Sequence, residues 1–120
     1  MKKLILFVKR KPGLTHEQFR AHYESTHAPL AKSRLAPQWL VRYERNFLTP
    51  GTGQPEPPYD CVTEFWFADQ AALDASVTWT RSEEGQVLAR DEENFMDRAS
   101  MQTFLVDVAV TEIAACSAKE

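Results

Sequence analysis

Apolar positions along this chain repeat with two different periods, and the order of those periods predicts a fold. Residues 3–10 read as a strand, with Leu4, Leu6 and Val8 on one face and Ile5 and Phe7 on the other. Pro12-Gly13 marks a turn. Thr15 then opens a helix: with Gln18 it has the spacing of a capping box, and Leu14 stands where it can staple against Phe19. The residue before a proline avoids helical geometry, so this helix is expected to stop near Thr26 or His27, with Pro29 opening a second short helix through Leu35.

Residues 39–48 alternate again, with Trp39, Val41, Tyr43 and Phe47 facing one way and Leu40, Arg42, Glu44 and Asn46 the other. Thr49 to Pro58 is a Pro/Gly loop, and residues 60–67 form a third strand that is apolar on both faces except at Glu64. Asp69 is expected to cap a helix through about Val77, and Ser82 a second one to about Phe95. Residues 101–112 read as a fourth strand, Phe104, Val106, Val108 and Val110 opposing Met101, Leu105 and Asp107, before a frayed tail at 114–120. Strand–helix–strand–strand–helix–strand is the order of an α+β, ferredoxin-like βαββαβ sandwich: a four-stranded antiparallel sheet with its helices on one face. Two helices cover only one face, yet the first and third strands are apolar on both. A symmetric partner sheet is the simplest cover for the second face, so a homodimer is expected.

Length and charge narrow the picture. At 120 residues the chain is expected to form one domain spanning 1–120, with an ordered core over about 4–112. A net charge of −3 leaves no electrostatic footprint for nucleic acid, and the basic opening is interrupted by Leu4–Val8 as a strand with charged edges would be. That five-residue apolar run is too short for a signal peptide, and no segment approaches the roughly 20 apolar residues of a membrane span. Cys61 and Cys116 make neither a disulfide framework nor a metal spacing, so a cytoplasmic location is expected.

The chemistry-bearing candidates are few. Phe19, Tyr23 and His27 lie four apart on one helical face, which aims a phenol and an imidazole at the interior. His27 is either a helix-terminal histidine held by the helix dipole or a group that moves protons on a bound molecule. His16 and His22 fall on other faces and are expected to be solvated. Asp91 interrupts the apolar stripe Val87, Leu88, Phe95, so it must be hydrogen-bonded, protonated or paired, with Arg20, Arg42 or Arg98 as the available partners. Glu83, Glu84, Glu92 and Glu93 read as a solvated face. Glu64 is either a cross-strand partner of Arg42 or Arg45 or a ligand contact, and Asn46 sits beside the Pro/Gly loop. No phosphate loop, paired-histidine metal motif, Cys-x-x-Cys or nucleophile elbow occurs, so no cofactor or metal is expected.

These residues resemble a known family. Lys9-Arg10-Lys11-Pro12-Gly13-Leu14-Thr15 with Glu17-Gln18-Phe19, then Tyr23 and His27-Ala28-Pro29-Leu30, looks like the opening of EthD-type proteins. The likeness continues through Arg42-Tyr43 and Asn46, Asp60 to Phe67, and Asp91 to Asp97. It implies a dimeric α/β-barrel built from ferredoxin-like subunits, and cofactor-free chemistry by a histidine at the position of His27. Many relatives carry a second histidine after the asparagine matching Asn46, where this chain has Phe47. The resemblance therefore implies a cofactor-independent lyase or isomerase acting on a small aromatic, polyketide-like or lactone substrate. His27 would be its general acid or base, Tyr23 would orient the imidazole or donate to an enolate, and Asp91 or Asn46 would hold polar substrate groups. Phe19, Tyr43, Glu64, Phe65, Trp66 and Phe95 complete the expected set. The alternatives are a non-catalytic ligand-binding or accessory protein in an oxidative pathway and a haem protein with His27 as axial ligand.

Overall fold

A computed structural model describes residues 1–51 and 53–114; the expected fraying of the tail and the position of Cys116 lie outside the described residues beyond 114. Strand β1 (Lys2–Val8) leads into helix α1 (His16–His22), a single wide turn with π geometry (Tyr23–His27) and helix α2 (Ala28–Leu35). Strands β2 (Leu40–Phe47) and β3 (Cys61–Phe67) follow, then helices α3 (Gln70–Arg81) and α4 (Gln86–Glu92), and last strand β4 (Gln102–Val106). The sheet order is β2-β3-β1-β4, every neighbouring pair antiparallel. This is the α+β, ferredoxin-like arrangement that the order of periods predicts. No helix among the described residues is long and apolar enough to cross a membrane.

Local chemistry sets the first helix. The Thr15 hydroxyl accepts the Gln18 N–H at 3.1 Å and the Gln18 side chain accepts the Thr15 N–H at 2.9 Å, so both halves of the capping box form. Gly13 precedes it with φ +96°, a left-handed turn that a side chain would strain. The helix does not stop before Pro29, however. Ala28 is helical (φ −62°, ψ −45°) and donates to the Tyr23 carbonyl five residues back, so α1 and α2 join through the wide turn. In a regular helix the Pro29 ring would meet the carbonyl of Ser25. The extra residue per turn widens the helix there and accommodates it.

A second insertion reshapes β2. Leu40 pairs with Phe67 and Arg42 with Trp66, which leaves Val41 as an unpaired bulge. Leu40 is therefore buried and Val41 is 51% exposed, the reverse of their expected sides. Beyond the bulge the alternation holds: Tyr43 and Phe47 face the helices, and Arg42, Glu44 and Asn46 face away. Helix α3 runs one turn past its expected end, because Ser82 closes it by bonding the Trp79 carbonyl. Helix α4 is shorter than expected at both ends. Its first turn begins only at Gly85, whose bare Cα lies against α3: a Cβ there would stand 2.1 Å from the Trp79 carbonyl oxygen. Strand β4 ends at Val106, and Val108, Val110 and Ile113 beyond it are exposed rather than paired.

The core lies between helices and sheet in two adjoining clusters. One gathers Leu6, Val8, Phe19, Tyr23, Cys61 and Phe95; the other Ala31, Leu35, Leu40, Phe67, Leu73 and Leu88. His27 sits in the wide turn that joins α1 to α2, and α4 brings Asp91 and Glu92 to it from the opposite side.

Candidate functional site

His27 is buried, with its side chain 5% exposed, and a carboxylate stands near each ring nitrogen, bonded to one of them only. Its Nδ1 lies 2.8 Å from Asp91 Oδ2, and its Nε2 lies 3.8 Å from Glu92 Oε2. Asp91 Oδ1 receives two more groups, His22 Nε2 at 2.9 Å and Asn94 Nδ2 at 3.2 Å. Burial opposes ionisation of Asp91, but the hydrogen bonds from His22, His27 and Asn94 outweigh it and hold its carboxyl below the usual range. An ionised carboxylate only accepts, so the nitrogens facing it donate. Neutral His27 therefore carries its proton on Nδ1 and keeps a lone pair on Nε2.

That Nε2 side opens on a cavity of about 430 Å³ between the helices and the sheet. Its walls are apolar, built from Leu4, Leu6, Phe65, Phe67, Leu88 and Met101, and its polar groups include His27, Glu92, Arg98 and Arg81. Glu92 is the group the sequence concealed. It reads as part of a solvated face, yet its side chain is only 15% exposed and bonds Arg98 Nε at 3.0 Å. Burial pushes its carboxyl above the usual range, against the pull of His27 and Arg98. Its position at the last residue of α4, where the chain turns back towards Arg98, takes it off the solvated stripe. His22 was concealed too: it stacks on Phe95 with ring centroids 4.7 Å apart and shares Asp91 with His27.

Several expected partners stand elsewhere. Tyr23 is 1% exposed, and its hydroxyl is taken by Thr63 Oγ1 at 2.5 Å, so it neither reaches the cavity nor bonds the imidazole. Its ring packs edge-on to His27 at 5.6 Å, a contact that holds the imidazole in place. Phe19 and Phe95 are likewise buried behind His27 rather than exposed to the cavity. Asp91 pairs with none of Arg20, Arg42 or Arg98, its partners being the two imidazoles and Asn94. Phe65 does line the cavity, and Tyr43 stacks on it at 4.8 Å with its own hydroxyl buried and unpartnered among the described residues.

Asn46, Glu64 and Trp66 lie on the far face of the sheet, where strand alternation separates them from His27. Glu64 bonds Lys3 Nζ at 2.5 Å and Asn46 Nδ2 at 2.8 Å, not Arg42 or Arg45. Those arginines pair with Glu44 and Glu24 instead. Phe47 packs edge-on to Phe19 and Tyr23.

Other chemistry-bearing groups fall outside the cavity. Burial pushes the Cys61 thiol up to about 12, which leaves it protonated and unreactive. His16, Glu56 and Asp60 bring donor atoms within 4.8 Å of one another, but the Arg10 guanidinium stands 2.8 Å from both Asp60 and His16 and supplies the positive charge there. A second cleft of about 470 Å³, between α2 and the edge strand β2, holds none of the groups gathered round His27 Nε2.

Comparison with known proteins places this architecture. The family described as the EthD domain matches residues 11–99, and the chain belongs to that family. No curated protein matches it. Among solved structures it is similar to an ethyl tert-butyl ether (EthD) family protein of Bacillus halodurans, at 20% identity and TM-score 0.66 over 91% of this chain and all of the other. An EthD-like protein of Ralstonia eutropha is also 20% identical, with TM-score 0.65 over 94% of this chain and 95% of the other. A protein from an uncultured marine organism, described as dimeric and ferredoxin-like, is 16% identical with TM-score 0.63 over 96% of this chain and all of the other.

Proposed function

We propose that this protein is a cofactor-independent proton-transfer enzyme, a lyase or isomerase acting on a small planar substrate such as an aromatic, polyketide-like or lactone compound. The observation that carries this reading is the Asp91–His27 pair, which leaves the Nε2 lone pair of a buried imidazole facing a largely apolar cavity. In that position His27 takes a proton from a carbon next to a carbonyl, and Asp91 stabilises the imidazolium that results. Phe65 supplies a flat wall for the substrate, and Glu92 and Arg98 are the polar groups within reach of a developing enolate.

The test is proton exchange. Enolisable aromatic ketones, β-dicarbonyl compounds and lactones are incubated with the protein in D2O and followed by NMR. Wild-type protein is expected to catalyse exchange or turnover on at least one class, and His27→Ala to lose it by about 10²–10⁴-fold. Full turnover by His27→Ala overturns the reading. Compounds that shift the NMR signals of cavity residues without any exchange support the ligand-binding or accessory alternative.

We also propose that the chain forms a homodimer through the outer face of the sheet. Ile5, Phe7, Val62, Trp66 and Phe104 gather there, half-buried or exposed, and three structurally similar proteins are described as dimeric. Sedimentation of a monomer at micromolar concentration would count against it.

A further inference from the structure

His22 and His27 are five residues apart. On a regular helix of 3.6 residues per turn they would point about 140° away from each other. The wide turn at Tyr23–His27 changes this, because residues i and i+5 stack when the turn takes in an extra residue. Both imidazoles consequently reach one carboxylate: His22 Nε2 meets Asp91 Oδ1 at 2.9 Å while His27 Nδ1 meets Oδ2 at 2.8 Å. Only His22 is open to solvent, with its side chain 29% exposed against 5% for His27.

We propose that His22 is a positioning residue for His27, acting through Asp91. Its ring N–H fixes the rotation of the carboxylate so that Oδ2 is presented to His27 Nδ1, and this keeps the lone pair on the Nε2 that faces the cavity. The other charged groups facing the pair are Glu92, 3.8 Å from His27 Nε2, and Arg98 behind Glu92. Asn94 on Asp91, Tyr23 beside His27 and Phe95 beneath His22 are uncharged. This inference rests on the reading of His27 as the acid–base group, and extends it to how that group is kept in its working form.

The experiment reads the ring nitrogens directly, by long-range 1H–15N NMR of the full chain labelled at histidine. His22→Phe keeps the stack on Phe95 but lacks the N–H, and is expected to lower the ratio of Nδ1–H to Nε2–H tautomers at His27 by about fivefold. His22→Gln restores a neutral donor and is expected to hold that ratio within about twofold of wild type. An unchanged ratio in His22→Phe overturns the proposal, as does a loss in His22→Gln equal to that in His22→Phe. The two readings fail separately. Loss of turnover in His27→Ala with an unchanged tautomer ratio in His22→Phe removes the positioning role alone. A changed ratio with full turnover in His27→Ala removes the catalytic reading alone.

Discussion

Both faces of the sheet are built on apolar side chains, yet their polar groups work in opposite ways. On the helix face His27, Asp91 and Glu92 are brought together from two different helices, each with little water around it. On the outer face Lys3, Glu64 and Asn46 meet directly across neighbouring strands, beside the ring of Trp66, with Lys3 Nζ 4.8 Å from its centroid. The outer groups satisfy one another and leave little free for chemistry. The inner groups leave the Nε2 lone pair of His27 unused and push a carboxylate out of its normal titration range, the kind of frustration that accompanies a working site. A polar residue interrupting an apolar run has no fixed meaning. Its meaning depends on whether its partners come from the adjacent strand or from elsewhere in the chain.

The contrast is open to direct attack. The largest expected effect is kinetic: Trp66→Ala on the outer face should leave any turnover found for the wild-type protein within about threefold, against the 10²–10⁴-fold loss of His27→Ala, both read as kcat/KM. Comparable losses would show that the two faces serve one site. The next concerns stability. Phe95→Ala, which opens a hole beneath both imidazoles, should cost about 3–5 kcal/mol in urea unfolding, whereas Phe104→Ala, 49% exposed on the outer face, should cost about 1 kcal/mol or less in the monomer.

A third effect is smaller and depends on pH. The folded state lowers the pKa of Asp91, so its contribution is present above the ordinary carboxylate range near about pH 4 and is lost as the pH falls through the lowered value. Asp91→Asn should therefore flatten the acid limb of a stability-against-pH curve below about pH 4. Glu92 carries the opposite sign. Its carboxyl is raised, so its ionisation weakens the fold as the pH rises from about 4.3 through the folded value. Glu92→Gln should match or exceed the wild-type Tm at pH 7, even though it removes the charge that pairs with Arg98. A lower Tm would show that the ion pair outweighs the burial. The smallest effect is expected for Asn46→Ala, about 0.5 kcal/mol or less in the same unfolding assay, because its bond to Glu64 is exposed.

Much of this molecule was legible as a string of residues. Thr15 and Gln18 announce their helix because a capping box is local, and the four strands announce theirs because alternation survives in any sheet that buries a face. The inward aim of Phe19, Tyr23 and His27 followed from spacing alone, as did the isolation of Asp91 on an apolar stripe. Two of the errors share one cause. At Tyr23–His27 and at Val41 the chain takes in one residue more than the regular period allows, and each insertion redirects side chains beside it. The first brought His22, expected in solvent, onto Asp91; the second exchanged the sides of Leu40 and Val41. Some of the expected ligand contacts stand apart from His27 for a different reason. Asn46, Glu64 and Trp66 are near Tyr43 and Phe65 in sequence but point through the opposite face, and the sequence did not say which face would hold the cavity.

The sequence by itself determined the element order, the fold and the burial of His27, because periodicity, capping and turn chemistry act over a few residues. Only the tertiary structure decided that Asp91 is held between two imidazoles, that Glu92 stands at the mouth of Nε2, and that the Tyr23 hydroxyl belongs to Thr63. Those pairings join residues between 40 and 69 positions apart. Those of Asp91 and Glu92 depend on how far α4 approaches the wide turn, a distance set by packing against Phe95 and by the bare Cα of Gly85. No local rule contains that distance.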